Sequence, residues 1–80
     1  MPDRLAHGEC VVGTRSLLRA MKEGAVRIAY VAQDADLFIT RQVEDACREA
    51  NIPLVRVNSK AELGRACRAP VPTAAAGLKR

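Results

Sequence analysis

Aromatic residues are nearly absent from this chain, which has one Tyr, one Phe and no Trp among 80 residues. Its core is therefore aliphatic, and a surface that reads nucleic acid by stacking bases on an aromatic sheet is not expected. The three cysteines, Cys10, Cys47 and Cys67, are odd in number, far apart and in no C-x-x-C pair. Neither a disulfide framework nor a zinc site is expected from them. Cys47 and Cys67 fall on the apolar faces of predicted helices, where a small buried thiol is the ordinary role. No run approaches the roughly 18 apolar residues of a membrane span, and the opening M-P-D-R-L-A-H-G-E holds no apolar h-region. A cytoplasmic protein with reduced thiols is the expectation. Phosphate-cradling loops of the G-x-x-x-x-G-K-[ST] or G-x-G-x-x-G type are missing. The single histidine, His7, belongs to no motif and is assigned a solvated or capping role. Nothing assembles a nucleophile with a base, so no enzyme and no cofactor are expected.

What is present suits one small domain over residues 1–80, with a core from about Cys10 to Leu78. The formal charge of +4 tilts the choice of partner towards nucleic acid or another polyanion. Cys10 to Val12 reads as a short strand or extended lead into a helix, and A-V-R-I-A-Y-V-A-Q as a buried strand from about Val26 to Gln33. A helix follows from about Phe38 to Ala50, with Ile39, Val43, Ala46, Cys47 and Ala50 inward and Asn51 as its cap. Pro53 opens a second strand, Leu54 to Val57. Ser59 with Glu62 forms a capping box for a helix through about Arg68, with Leu63, Ala66 and Cys67 inward. Two prolines stiffen the loop Ala69-Pro70-Val71-Pro72, and Ala74 to Leu78 supplies a last strand. This alternation predicts an α/β fold, a three-layer α/β/α sandwich on a small mixed, largely parallel sheet. The helix starts and strand ends then gather on one side, where Gly13 to Arg19, the Q-D-A-D loop and the proline loop converge.

The stretch Gly13 to Lys22 carries the candidate chemistry. Thr14 is placed to cap a helix whose apolar face holds Leu17, Leu18 and Met21, while Gly24 ends it. Arg15, Arg19 and Lys22 form a basic stripe that begins in the first turn. An arginine there faces the partial positive charge of the helix start, at a cost of roughly 0.3–1 kcal/mol. An anionic ligand, phosphate above all, compensates such a placement; the plainer alternative is a solvated basic face. Asp34 and Asp36 are the best carboxylates for metal or acid-base work, although D-x-D in a turn more often caps the next helix.

The ordered set Gly13-Thr14-x-x-x-x-Arg19-Ala20, V-A-Q-D-A-D, N-I-P-L-V, S-K-A-E-L-G-R-A-C and the V-x-x-A-A-A tail resembles the ribosomal protein L-seven-Ae and L-thirty-e family, especially its short bacterial kink-turn-binding members. The resemblance covers about Cys10 to Leu78. It implies an α/β/α sandwich that binds the kink-turn, a sharply bent RNA duplex with tandem sheared G·A pairs beside a short bulge. The family motif Gly-Thr-Asn-Glu-x-x-Lys contacts those guanines. Gly13 and Thr14 match it, Arg19 replaces the lysine, Arg15 stands for Asn and Ser16 for Glu. The resemblance also implies that Ala69, Pro70 and Val71 pack against bases near the bulge, and that Asp36 orients Arg19. The expected partner is RNA containing a kink-turn, in ribosomal RNA or a riboswitch, bound by a monomer. A large-subunit ribosomal component and a protein-interaction module without RNA binding stay open as alternatives.

Overall fold

A computed structural model describes residues 10–80. The role assigned to His7 lies outside the described residues. The elements run β1 (Cys10–Val12), α1 (Thr14–Lys22), β2 (Val26–Ala32), α2 (Leu37–Ala50), β3 (Leu54–Val57), α3 (Lys60–Ala66) and β4 (Ala75–Lys79). The four strands form one sheet in the order β1-β4-β2-β3.

The α/β class and the mixed sheet are as the sequence predicts, but the sheet is not largely parallel. Only β2 and β3 pair in parallel, as their connection through α2 requires. β4 lies between β1 and β2 and runs antiparallel to both. α3 leads away from the end where β2 and β3 finish, and the proline loop then runs back along it until the Thr73 N–H reaches the Lys60 carbonyl, so the last strand enters the sheet from that end in the opposite sense. The regular alternation of helix and strand conceals that reversal.

Alternation along the strands divides the core into two. Val11, Ala29, Val31 and Ala75 meet Leu17, Met21, Val43 and Cys47 from α1 and α2, which also pack on each other. On the opposite face, Tyr30, Ala32, Val57, Ala76 and Leu78 meet Leu63 of α3. The small residues Ala75 and Ala76 are fully buried in an interior strand, which lets both helical layers approach it. Along α2, Val43 and Cys47 are buried and Ile39 and Ala46 half-buried. Ala50, expected inward, is exposed, because it borders the open groove between α1 and α2 that Leu18 and Lys22 also line.

The predicted ends of α2 are present. Asp36 Oδ1 accepts the Phe38 N–H at 2.8 Å, and Asn51 turns left-handed at φ 56°. Burial, with Glu44 adding to it, raises the Cys47 thiol above its ordinary value. Burial followed by the neighbouring Cys10 pushes Cys67 up to about 12. The unfolded chain ionises both thiols near 9.0 whereas the fold keeps them protonated. Their stabilisation is complete below that pH and is lost as pH rises towards the folded values. The thermal midpoint should therefore fall between pH 9.0 and about 12, and less steeply in Cys67→Ala. An equal fall in both proteins would contradict this assignment.

Candidate nucleic-acid interface

All three helices begin at the end of the sheet where β1, β2 and β3 stop and β4 starts. Hydrogen bonds tie the loops of this end together. The Gly13 N–H donates to the Ala75 carbonyl at 2.9 Å, and the Ala32 N–H to that of Ala74 at 2.9 Å. The Lys60 N–H donates to Asp34 Oδ1 at 2.8 Å, and the Thr73 N–H to the Lys60 carbonyl at 3.0 Å. The three segments expected to converge, Gly13 to Arg19, the Q-D-A-D loop and the proline loop, thus share one rim.

Two of the helix starts on that rim are closed by side chains. Asp36 caps α2, while α3 is capped by Ser59 Oγ, which accepts the Glu62 N–H at 3.1 Å, and by Asp34 from across the rim. These contacts give both aspartates structural roles. α1 is different. Gly13 occupies its cap position at φ 98° and ψ 148°, and no side chain caps the first turn, which contains no acidic residue. The expectation that Thr14 is the cap is corrected: Thr14 is already the first helical residue, and the glycine before it has no side chain to offer. Only glycine tolerates this backbone region, so the open mouth is written into residue 13.

Arg15, Ser16, Arg19 and Lys22 are exposed along α1. The two ion pairs among the described residues, Arg48 with Asp45 and Arg56 with Glu44, use none of them. Asp36 gives its carboxylate to the amide of Phe38, not to Arg19 as the resemblance implied. The result is a helix start with its amides uncapped, its partial charge positive, the Arg15 guanidinium beside it, and Arg19 further along in the last turn. Such a surface attracts phosphate and can donate hydrogen bonds to base edges.

The proline loop is seated on α3. Arg68 adopts a left-handed conformation at φ 58°, the Arg68 N–H donates to Arg65 and the Ala69 N–H to Gly64 at 2.8 Å, closing the helix as a Schellman turn. A Cβ on Gly64 would stand 2.6 Å from the Val71 carbonyl oxygen, so helix and loop touch backbone to backbone. Pro70, Val71 and Pro72 face outward, with Val71 63% exposed, and Ala69 is half-buried. Ala69 and Thr73 make the loop's backbone bonds on either side, so the prolines remove no donor that the fold uses.

Sequence reasoning missed Leu37 and Phe38. They are 71% and 70% exposed at the first turn of α2, on the same rim. The available signal was their position just after the Asp36 cap and outside the Ile39, Val43, Cys47 stripe. With Val71 they add apolar surface to a basic end.

Sandwich and rim define a small α/β/α protein with an uncapped helix start and exposed basic side chains along one helix. The chain matches the ribosomal protein L7Ae/L30e/S12e/Gadd45 family over residues 1–80, and it belongs to that family. It is 43% identical over 76 residues to the RNA-binding protein YbxF of Geobacillus stearothermophilus, covering 95% of this chain and 93% of that protein. RNA-binding protein TTE2299 of Caldanaerobacter subterraneus subsp. tengcongensis is 35% identical over 66 residues, covering 82% of this chain and 80% of its own. Among solved structures, the Giardia lamblia 15.5kD RNA binding protein superposes with a TM-score of 0.90 at 30% identity, over 98% of this chain and 69% of that one.

The mouth of α1 depends on backbone conformation and not on space, since no atom lies within 4 Å of a Cβ built on Gly13. Gly13→Ala should therefore cost about 1–3 kcal/mol in urea unfolding. Unchanged stability would show that the φ of 98° is not required.

Proposed function

We propose that this chain is a cytoplasmic, monomeric, non-catalytic RNA-binding protein that recognises kink-turns and holds the RNA in its bent form. Family membership and the RNA-binding relatives support the RNA. The observation that carries the reading is the uncapped start of α1, flanked by Arg15, Ser16 and Arg19, on one rim with the apolar proline loop.

Each part has a physical task. Arg15 and Arg19 donate to guanine O6 and N7 in the groove opened by the sheared pairs, a pairing worth about 1–3 kcal/mol of discrimination when bidentate. Ser16 adds a shorter, neutral hydrogen bond where a carboxylate is common in the family. The first-turn amides of Thr14 and its neighbours, with Lys22 further along the helix, take phosphate oxygens. Ala69, Pro70 and Val71 cover unstacked bases by the bulge, with Leu37 and Phe38 extending the apolar surface. The prolines lower the entropy lost when the loop is ordered on RNA. Because binding favours one RNA conformation over the other, it shifts the RNA towards the bend without any catalytic step.

Arg19→Ala should weaken binding to a kink-turn RNA by about 10-fold or more and reduce its preference over a straight duplex, as expected for a contact to base edges. Lys22→Ala should weaken binding to both RNAs alike and flatten the dependence of affinity on salt by about one counterion. Fluorescence-anisotropy titrations across salt concentrations measure both effects. Identical salt slopes and an unchanged preference in the two variants would overturn this division of roles.

A further inference from the structure

The sequence presents three separated cysteines, and the fold brings two of them together. Cys10 opens the edge strand β1 and pairs with Leu78 of β4. Directly opposed residues in an antiparallel pair point to the same face, so Cys10 lies with Leu78 on the α3 side of the sheet. Cys67 ends α3 on that side. Both cysteines pack against the cluster that contains Leu63, Ala76 and Leu78, and Cys10 is close enough to Cys67 to add to the upward push on its thiol. Both are half-buried, whereas Cys47 is buried in the opposite core. Two thiols far apart in sequence are thus neighbours under α3, on the same side of the sheet.

We infer that Cys10 and Cys67 form an oxidisable dithiol, which hydrogen peroxide converts to an intramolecular disulfide joining β1 to the end of α3. In the first step the Cys10 sulfur attacks one peroxide oxygen, the O–O bond breaks, and the thiol becomes a sulfenic acid as one water leaves. In the second, the Cys67 sulfur attacks the sulfenic sulfur, the S–O bond breaks, and the Cys67 proton departs with the hydroxyl as a second water. Two thiols are oxidised to one disulfide and one peroxide is reduced to two waters. Burial keeps the Cys67 thiol protonated, which makes Cys10 the attacking sulfur and Cys67 the resolving one.

The bond has a structural consequence. Cys67 immediately precedes the left-handed Arg68 from which the proline loop departs. Oxidation therefore anchors that loop's base to the far edge of the sheet. The link from this bond to RNA rests on the function proposed above, but the chemistry does not.

Hydrogen peroxide added to the folded, unmutated chain tests the inference by mass spectrometry of unreduced peptides. The expected product is two hydrogens lighter, contains Cys10 and Cys67 in one linked peptide pair, keeps Cys47 as a free thiol, and reverts with dithiothreitol. Its thermal midpoint should lie several degrees above that of the reduced protein. Cys10→Ser should give no linked peptide. Linkage through Cys47, dimers joined between chains, sulfinic acid at Cys10 without linkage, or a lowered midpoint would each overturn the inference. RNA titration of both redox forms is read separately: a linked product with unaltered RNA binding leaves the dithiol standing and detaches it from the loop.

Discussion

The hydrogen bond from the Gly13 N–H to the Ala75 carbonyl is the contact on which the candidate interface depends. It fixes the start of α1 to the start of β4, so the same residue that begins the basic helix also ends the edge pairing of β1 with β4. The neighbouring bond from Ala32 to Ala74, and that from Thr73 to Lys60, bring the proline loop onto the same frame. Position on this rim therefore follows from backbone hydrogen bonds. The side chains above them are left free to meet a ligand.

Two of the three helices spend a side-chain oxygen on their own amides, and α1 does not. A glycine at that cap forgoes roughly a few tenths of a kcal/mol relative to a capping side chain. Placing Arg15 in the first turn, beside the positive end of the helix dipole, adds a further unfavourable contribution in the free protein, whereas Arg19 and Lys22 lie in the last turn. An anion bound at that start would offset both, since the amides would gain acceptors and the Arg15 guanidinium a counter-charge. The arrangement is less stable alone than it could be, and its compensation is conditional on binding. The aspartates show the contrast: Asp34 and Asp36 satisfy backbone donors inside the fold and have little to offer an external partner.

Most of the secondary structure was legible because each segment states its own local rule. The apolar run from Val26, the Ser59 cap with Glu62 behind it, and Asn51 at the end of α2 all appear where their chemistry requires. What was not legible depends on residues far apart in the chain. The direction of β4 follows from the return of the proline loop along α3 to the rim, and nothing in A-A-A-G-L records it. Thr14 reads as a cap until the backbone of Gly13 claims that position. Leu37 and Phe38 read as a helix start until burial shows that they face outward. The meeting of Cys10 with Cys67 requires knowing both that β1 pairs with β4 and that α3 covers that face. The basic stripe on α1 and the convergence of the loops were legible in outline, the stripe from helical spacing and the convergence from the polarity of strand-helix units.

The proposed function stands on recognition of a bent RNA through its sheared pairs at the start of α1. Equilibrium titration against a kink-turn RNA, and against the same RNA with its G·A pairs changed to Watson–Crick pairs, tests it most directly at fixed salt and Mg²⁺. Tight binding to the first RNA is expected, with binding to the second weaker by orders of magnitude. Equal affinity for both would contradict it, leaving a basic surface that holds RNA by charge alone.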